Sequence, residues 1–325
     1  MASIGDIIYS LGLIATGLSA GYLYRNKIPH GMNQSEEAIR KLRRNLQITA
    51  IFYLNPFVFG GAIWALDMSD IRIFALPFLG AFAVTFGGVL GYVASGIFNL
   101  TRKQRGVMVT CGSFTNIGSI GSLITYIILG ETAVAIIPFY KLFETFLYYG
   151  VGFPYAKSMS EMASEKESVF DRFKNILSDR VLQVTLSSWV VGLGLNLLGV
   201  ERPTFFSLLI RVFIPLVSLS MLSSIGMALR FGKMREYMRE ASAIALIKFV
   251  AIPTSVYLLA SGVGLGTVNG GLPLKVVTIL ASMPVAFTAM VPPTLYNLDV
   301  DLANTAWMLT TSLLLVVVPL LWLIL

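Results

Sequence analysis

The chain has 325 residues, of which 56% are apolar and only 13% charged, against roughly 25% charged in a soluble domain. A water-soluble fold of this length has nowhere to bury so much apolar surface, because the buried fraction rises only slowly with size. The formal charge of +7 is not a nucleic-acid signature, since the basic residues lie between apolar runs, and one cysteine (Cys111) and one histidine (His30) exclude an intramolecular disulfide and a histidine-based metal site.

A spanning helix needs about 20 mostly apolar residues. Runs of that kind fall at 5–24, 46–66, 71–98, 107–129 and 132–155, and again at 181–200, 207–229, 241–262, 274–297 and 302–325. The first is read as a span rather than a cleavable signal, because nothing basic precedes it and Asp6 stands at its head. The loops after spans 1, 3, 5 and 7 carry 18 basic residues, whereas the alternate loops carry only Arg72, Arg202 and Lys275. The positive-inside rule then places the basic loops in the cytoplasm and both termini outside. The expectation is a multi-pass protein of the cell (plasma) membrane. In the hydrophilic stretch 158–180, Phe170, Phe173 and Leu177 share a helical face opposite Asp171, Lys174 and Arg180, which reads as a short interfacial helix.

Five spans on either side of that stretch suggest a first repeat at 1–156, a linker at 157–180 and a second repeat at 181–325. An odd span number inverts the second repeat relative to the first. Proline positions echo this faintly: Pro56 in span 2 against Pro215 in span 7, Pro77 in span 3 against Pro253 in span 8, and Pro138 in span 5 against Pro319 in span 10. Inverted-repeat carriers place the substrate near the midplane, where interrupted helices expose backbone groups. An interrupted span stands at the same place in each half. Span 4 contains Gly112-Ser113-Phe114-Thr115-Asn116-Ile117-Gly118-Ser119-Ile120-Gly121-Ser122, and span 9 contains Ser282-Met283-Pro284-Val285-Ala286-Phe287-Thr288, then Pro292-Pro293. Glycine costs a helix interior about 1 kcal/mol and proline about 3. Helix packing through small residues accounts for the glycines and serines of span 4 but gives Asn116 no particular role.

These residues carry a resemblance to the auxin efflux carrier family. It rests on Asn116-Ile117-Gly118-Ser119-Ile120-Gly121, Leu129-Gly130-Glu131, Ser224-Ile225-Gly226-Met227-Ala228-Leu229 and Lys248. It continues through Ala281-Ser282-Met283-Pro284-Val285-Ala286, Tyr296-Asn297, Thr310-Thr311 and Pro319. The resemblance implies an all-α membrane fold of ten helices, two inverted five-helix repeats with broken, crossing helices 4 and 9, and an organic anion bound beside the cross. Where family members often have a proline after the span 4 glycines, this chain has Ser122, so its break would depend on Gly118, Gly121 and polar side chains.

Charges inside a span are expensive and therefore candidates for function. Lys141 and Glu144 lie three apart near the centre of span 5, either as a mutually neutralising pair or with Glu144 as a proton-coupling site. Lys248, a third of the way into span 8, has no acidic neighbour at helical spacing; it either snorkels or meets an anionic substrate or a structural contact like that of the family. Asn116 can both donate and accept; Asn55, Ser113, Thr115, Ser119, Met283, Pro284 and Thr288 complete the candidate substrate site, with Gly118, Gly121 and Pro284 forming the crossover. Free N–H groups of the broken helices would add positive potential.

The sequence thus reads as a secondary carrier of small organic anions, carboxylates or auxin-like acids, in contact with membrane lipids. No enzyme, cofactor, metal or nucleic-acid partner is expected, and a homodimer is ordinary for such an architecture. The rival readings are a sodium-coupled symporter of the bile acid carrier type and, ranked lower, a channel. Sodium coupling in that rival uses acidic or amide side chains at the span 9 break, and Met283–Leu295 has none. Asp67-Met68-Ser69-Asp70 is a solvated turn rather than a metal motif.

Overall fold

Proline sets much of the local geometry. Its ring clashes with the carbonyl four residues back and it brings no N–H, and a helix relieves the clash by widening one turn. Three times a widened, π-type turn stands just ahead of a proline: Thr49–Leu54 before Pro56, Tyr148–Gly152 before Pro154, and Ile247–Ala251 before Pro253. Pro215 and Pro319 instead lie inside continuous helices. The proline echoes in the sequence therefore do not mark equivalent geometry. Pro77 opens its helix, whereas Pro253 sits beyond the middle of its own.

The computed structural model describes residues 3–27, 33–161, 178, 180–229 and 234–325. The segment carrying Phe170, Phe173 and Leu177, expected as an interfacial helix, lies outside them, as does His30. The helices are α1 (Ile4–Lys27), α2 (Glu36–Trp64), α3 (Ile71–Ile97), α4 (Arg102–Ser113), α5 (Ile117–Leu129), α6 (Arg180–Leu197), α7 (Phe205–Gly226), α8 (Met238–Gly262), α9 (Val268–Ala281), α10 (Val291–Leu295) and α11 (Val300–Ile324). No strand occurs among the described residues, only one isolated antiparallel bridge. The protein is all-α. Six described helices, α1, α2, α3, α7, α8 and α11, are long and apolar enough to cross a membrane, which makes it a multi-pass integral membrane protein. The spans expected around 107–129 and 274–297 are interrupted, as their composition suggests. The span expected at 132–155 is broken more heavily than its apolar run implies, into Glu131–Val134, Ile137–Tyr140, Glu144–Leu147 and Phe153–Ser158.

The chain forms two compact units that do not coincide with its two sequence halves: residues 1–67, 118–138 and 183–230 make the first, and 68–117, 139–182 and 231–325 the second. In the first, α1 packs along α7 through glycine. A Cβ at Gly21 would strike the Ser223 carbonyl, and one at Gly226 would strike the Leu18 carbonyl, so only glycine permits this backbone approach. Arg202 closes one end of the unit, pairing with Glu131 and donating to the Gly61 carbonyl at 2.9 Å. The Asn196 amide donates to the Ile63, Trp64 and Leu66 carbonyls, and at the other end Arg25 donates to the Met227 and Leu229 carbonyls.

In the second unit, α3 lies against α4 at an equally close contact, Gly87 opposite Gly112. At one end Arg72 pairs with Asp70 and donates to the Gly264 carbonyl at 2.9 Å and Thr267 Oγ1 at 2.8 Å; Lys275 donates to the Leu325 carbonyl. At another, Asp299 caps α11 through Leu302 N and accepts from Tyr237 at 2.7 Å and Gln104 at 3.3 Å. The Tyr237 phenol is pushed up to about 12, first by that hydrogen bond to Asp299 and then by burial.

Candidate functional site

The second unit contains both interruptions. α4 ends at Ser113, and Phe114 turns extended with ψ 124°. α9 ends at Ala281; Ala286 is extended with ψ 147°, and helical turns resume at Phe287–Met290. Pro284 accounts for the second break, since proline disfavours helical backbone in the residue before it and supplies no donor. The two extended stretches pair: Asn116 N–H donates to the Pro284 carbonyl at 2.9 Å, Ala286 N–H donates to the Phe114 carbonyl at 2.9 Å, and Thr115 bridges Val285. Each break thus supplies the hydrogen-bond partners that the other lost, which satisfies backbone polar groups buried at this depth.

That pairing alters one expectation. The N–H groups of Thr115, Asn116, Ile117, Val285 and Ala286 are not open to a ligand. Thr115 N–H donates to the Tyr148 hydroxyl at 2.8 Å, Ile117 N–H to the Thr115 carbonyl at 2.9 Å, and Val285 N–H to Thr310 Oγ1 at 3.3 Å. The break also falls ahead of the glycines. Gly118 and Gly121 lie in the widened turn Ile117–Gly121, where the helix restarts, and Gly121 has helical φ −61° and ψ −44°. Two extended residues pairing with another chain segment need no special φ, so the interruption does not call for glycine.

Around the pair lies a line of buried polar side chains, all in the second unit. Lys248, wholly buried in the widened turn of α8, donates from Nζ to Thr115 Oγ1 at 2.8 Å. The Tyr148 hydroxyl, which accepts from Thr115 N–H, faces the Glu144 carboxylate. Glu144 pairs with Lys141 at 3.3 Å, although Lys141 stands in a turn rather than on a helix. The Tyr148 ring stacks on Phe114 with centroids 3.8 Å apart. Tyr148 and Thr310 are members that side-chain chemistry in the sequence did not single out. The signal for Tyr148 was its position four residues after Glu144, which puts both on one face.

The other expected residues divide by place. Ser113, Asn116, Met283 and Pro284 are buried at the paired breaks, and Thr288 follows them in an exposed position. Ser119 and Asn55 belong to the first unit, where the Ser119 carbonyl accepts from Ser218 Oγ at 2.8 Å and Asn55 is half-buried. A cavity of about 310 Å³ in the second unit reaches the break at Ser113 and Phe114 and is otherwise walled mainly by α3 and residues 147–155. A larger furrow of about 580 Å³ lies in the first unit between α2 and α6 and takes in none of the candidate residues. Of the candidate residues only Ser113 lines the smaller cavity, whose wall is otherwise largely apolar. Among the described residues no cluster of His, Cys, Asp or Glu could hold a metal ion.

A multi-span helical protein with mutually satisfied helix breaks and buried charge beside them has the construction of a membrane transporter. Comparison with known proteins agrees: residues 56–322 match the family described as membrane transport protein, and the chain belongs to this family, the auxin efflux carrier family. It is 23% identical over 269 residues to an uncharacterized transporter of Methanothermobacter thermautotrophicus, covering 82% of this chain and 83% of that one. It is 25% identical over 265 residues to an uncharacterized transporter of Methanocaldococcus jannaschii, covering 77% and 78% respectively.

Proposed function

We propose that the chain is a secondary carrier of small organic anions, with carboxylates as the substrate class, and that it works by alternating access at the paired breaks. The observation that carries this reading is the reciprocal pair of hydrogen bonds joining Asn116 to Pro284 and Phe114 to Ala286. An irregular backbone is stable at membrane depth only when buried in protein or lining a watery cavity. Here it sits among hydroxyl groups, an amide and an ammonium group, with no carboxylate in either extended stretch. Such a lining suits a carboxylate ligand.

In this reading ten segments cross the membrane, as two inverted repeats whose fourth and ninth segments meet at the cross, and both termini lie outside. The contacts at the helix ends support that order. Arg72 reaches the segment between α8 and α9, Lys275 reaches Leu325, and Arg202 reaches Glu131. Each of these joins places assigned to the outer face. Arg25 with Met227, and Asp299 with Gln104 and Tyr237, join places assigned to the cytoplasm. The only basic residues in the outer loops are Arg72, Arg202 and Lys275, whereas the loops assigned to the cytoplasm carry 18.

The test is a thermal-shift screen of purified protein against a panel of mono- and dicarboxylates, repeated on Asn116→Ala. A carboxylate that raises Tm in the native protein and loses that effect in the variant is the expected result. A panel without effect, or a variant that responds equally, would overturn the anion site.

A further inference from the structure

The cavity of about 310 Å³ in the second unit has two unlike ends. One abuts Ser113 and Phe114, where α4 stops. The body is lined by Val84, Val89, Val109, Leu147 and Val151, and no acidic residue lines it. The other end is marked by two tyrosines, Tyr92 near the close of α3 and Tyr155 in the segment Phe153–Ser158. Val89, Tyr92 and Val151 are also exposed, so the cavity opens sideways through apolar surface, which on a membrane span is surface offered to lipid.

Arg105 stands beyond the tyrosines. Its guanidinium lies over the Tyr92 ring, 5.4 Å from the centroid, and acts electrostatically on Tyr155. Other cations at this end are engaged: Lys103 pairs with Glu161 at 2.9 Å, Arg102 donates to the Ser158 carbonyl at 3.0 Å, and Arg239 lies over the Phe98 ring. None of the ion pairs among described residues includes Arg105. Two polar atoms here are enclosed yet have no hydrogen-bond partner, Arg105 Nε and the Tyr155 hydroxyl. Tyr155 is also the one residue with such an atom that lines either of the two cavities described above. A buried donor left unpaired costs about 1–3 kcal/mol, so two at one end of an apolar chamber point to an acceptor supplied from outside the chain. α4 rises about 1.5 Å per residue, which sets Ser113 roughly 12 Å deeper than Arg105. The site therefore has a cationic, hydrogen-bonding head near the loop between α3 and α4 and an apolar chamber below it.

We propose that this cavity binds an anionic phospholipid, with one acyl chain in the chamber and the headgroup phosphate accepting from Arg105 and the Tyr155 hydroxyl. A guanidinium is the cation suited to phosphate, and basic pockets between spans on the cytoplasmic side take anionic headgroups; the leaflet follows from the topology proposed above. Phe114, where the chain ends, stacks on Tyr148, whose hydroxyl holds Thr115 N–H, so a bound lipid adds to the support of the first break. Of the candidate substrate residues the site uses only Ser113, so the lipid reading and the carboxylate reading fail separately.

The experiment measures Tm of the purified, delipidated full chain in a neutral detergent, with phosphatidylglycerol or acyl-matched phosphatidylcholine added. Phosphatidylglycerol is expected to raise Tm by about 3 °C or more over phosphatidylcholine; equal shifts, or none, would overturn the proposal. Arg105→Gln and Val89→Trp, which sets an indole across the exposed mouth, are each expected to abolish most of that difference. Should Val89→Trp not fold, Thr85→Trp, exposed on the same wall, serves instead. Arg102→Gln and Asn116→Ala are expected to keep the difference. Its loss in Arg102→Gln would mean diffuse charge attraction, and its loss in Asn116→Ala would mean action at the paired breaks; either overturns the site. Decanoate giving the same rise, lost in the same variants, would assign the cavity to a free amphipathic carboxylate and overturn the lipid.

Discussion

The two units solve the problem of living in lipid in different ways. Among the described residues of the first, the buried polar ones are all serine or threonine (Ser10, Ser119, Ser122, Thr125, Ser218 and Ser224), and cohesion comes from a glycine-mediated approach of whole helices, which the second unit shares at Gly87 and Gly112. In the second stand the buried amides Asn116 and Asn304, the buried carboxylate Glu144 and the buried ammonium group of Lys248, together with the paired extended stretches. The difference teaches where polarity can be tolerated. An intact helix satisfies its own backbone and needs only a close neighbour, so its charges can be confined to its ends. A broken helix must import hydrogen-bond partners, and the groups it imports are the ones that can also meet a substrate.

The comparison breaks first at its packing side. Gly21→Leu puts a side chain where even a Cβ meets the Ser223 backbone. Relief requires α1 and α7 to separate, at a cost of about 3 kcal/mol, on the order of 10 °C in Tm. Carboxylate-induced shifts in the surviving folded protein are expected to be unchanged, because the second unit holds the site. Loss of ligand response at full folding would mean that the first unit contributes to the site.

The polar side is probed next by Tyr148→Phe. The phenyl ring keeps its stacking on Phe114, so only the hydroxyl is lost, leaving the buried Thr115 N–H without its acceptor. About 2 kcal/mol of stability should go with it, and calorimetry of the variant checks this. The ligand response should fall as well, because Thr115 also holds Lys248. A smaller effect, about 1 kcal/mol, is expected for Thr310→Val, whose lost bond to Val285 N–H is long at 3.3 Å. If Thr310→Val proves costlier than Tyr148→Phe, the second break rather than the first is the one that needs outside support.

Much of this was legible in the sequence, and the reasons are physical. Apolar runs near the length of a bilayer crossing announce helices, and α1, α3, α7, α8 and α11 fall where those runs stand. The breaks were legible because Pro284 and the polar run around Asn116 oppose helix locally. What escaped is long-range. Nothing in either run says that Phe114–Asn116 and Pro284–Ala286 bond to each other, so the free N–H groups expected there turn out to be used. Nor does periodicity predict that residues 132–155 break repeatedly, since an apolar composition is equally compatible with a continuous helix. The two units are illegible for the same reason: each is assembled from both halves of the chain.

The smallest expected effect tests the features that the units share. Each has an arginine bracket: Arg202 with Glu131 and the Gly61 carbonyl in the first, Arg72 with Asp70 and the Gly264 carbonyl in the second. The second can be opened with pH. Hydrogen bonds from Arg72 to Asp70 hold that carboxyl down at about 2, against an ordinary 3.8. A carboxyl depressed in the folded state lends stability above its ordinary value and loses it as pH falls through the folded one. The Tm gap between wild type and Asp70→Asn should therefore be constant from pH 7 to about pH 5 and close between roughly pH 4 and 2. Its size is small because the pair is exposed to water, which screens such bridges, and 1 M salt should shrink it further. A gap that persists unchanged to pH 2 would mean that Asp70 holds Arg72 without needing its charge, so that the bracket is built from hydrogen bonds rather than from an ion pair.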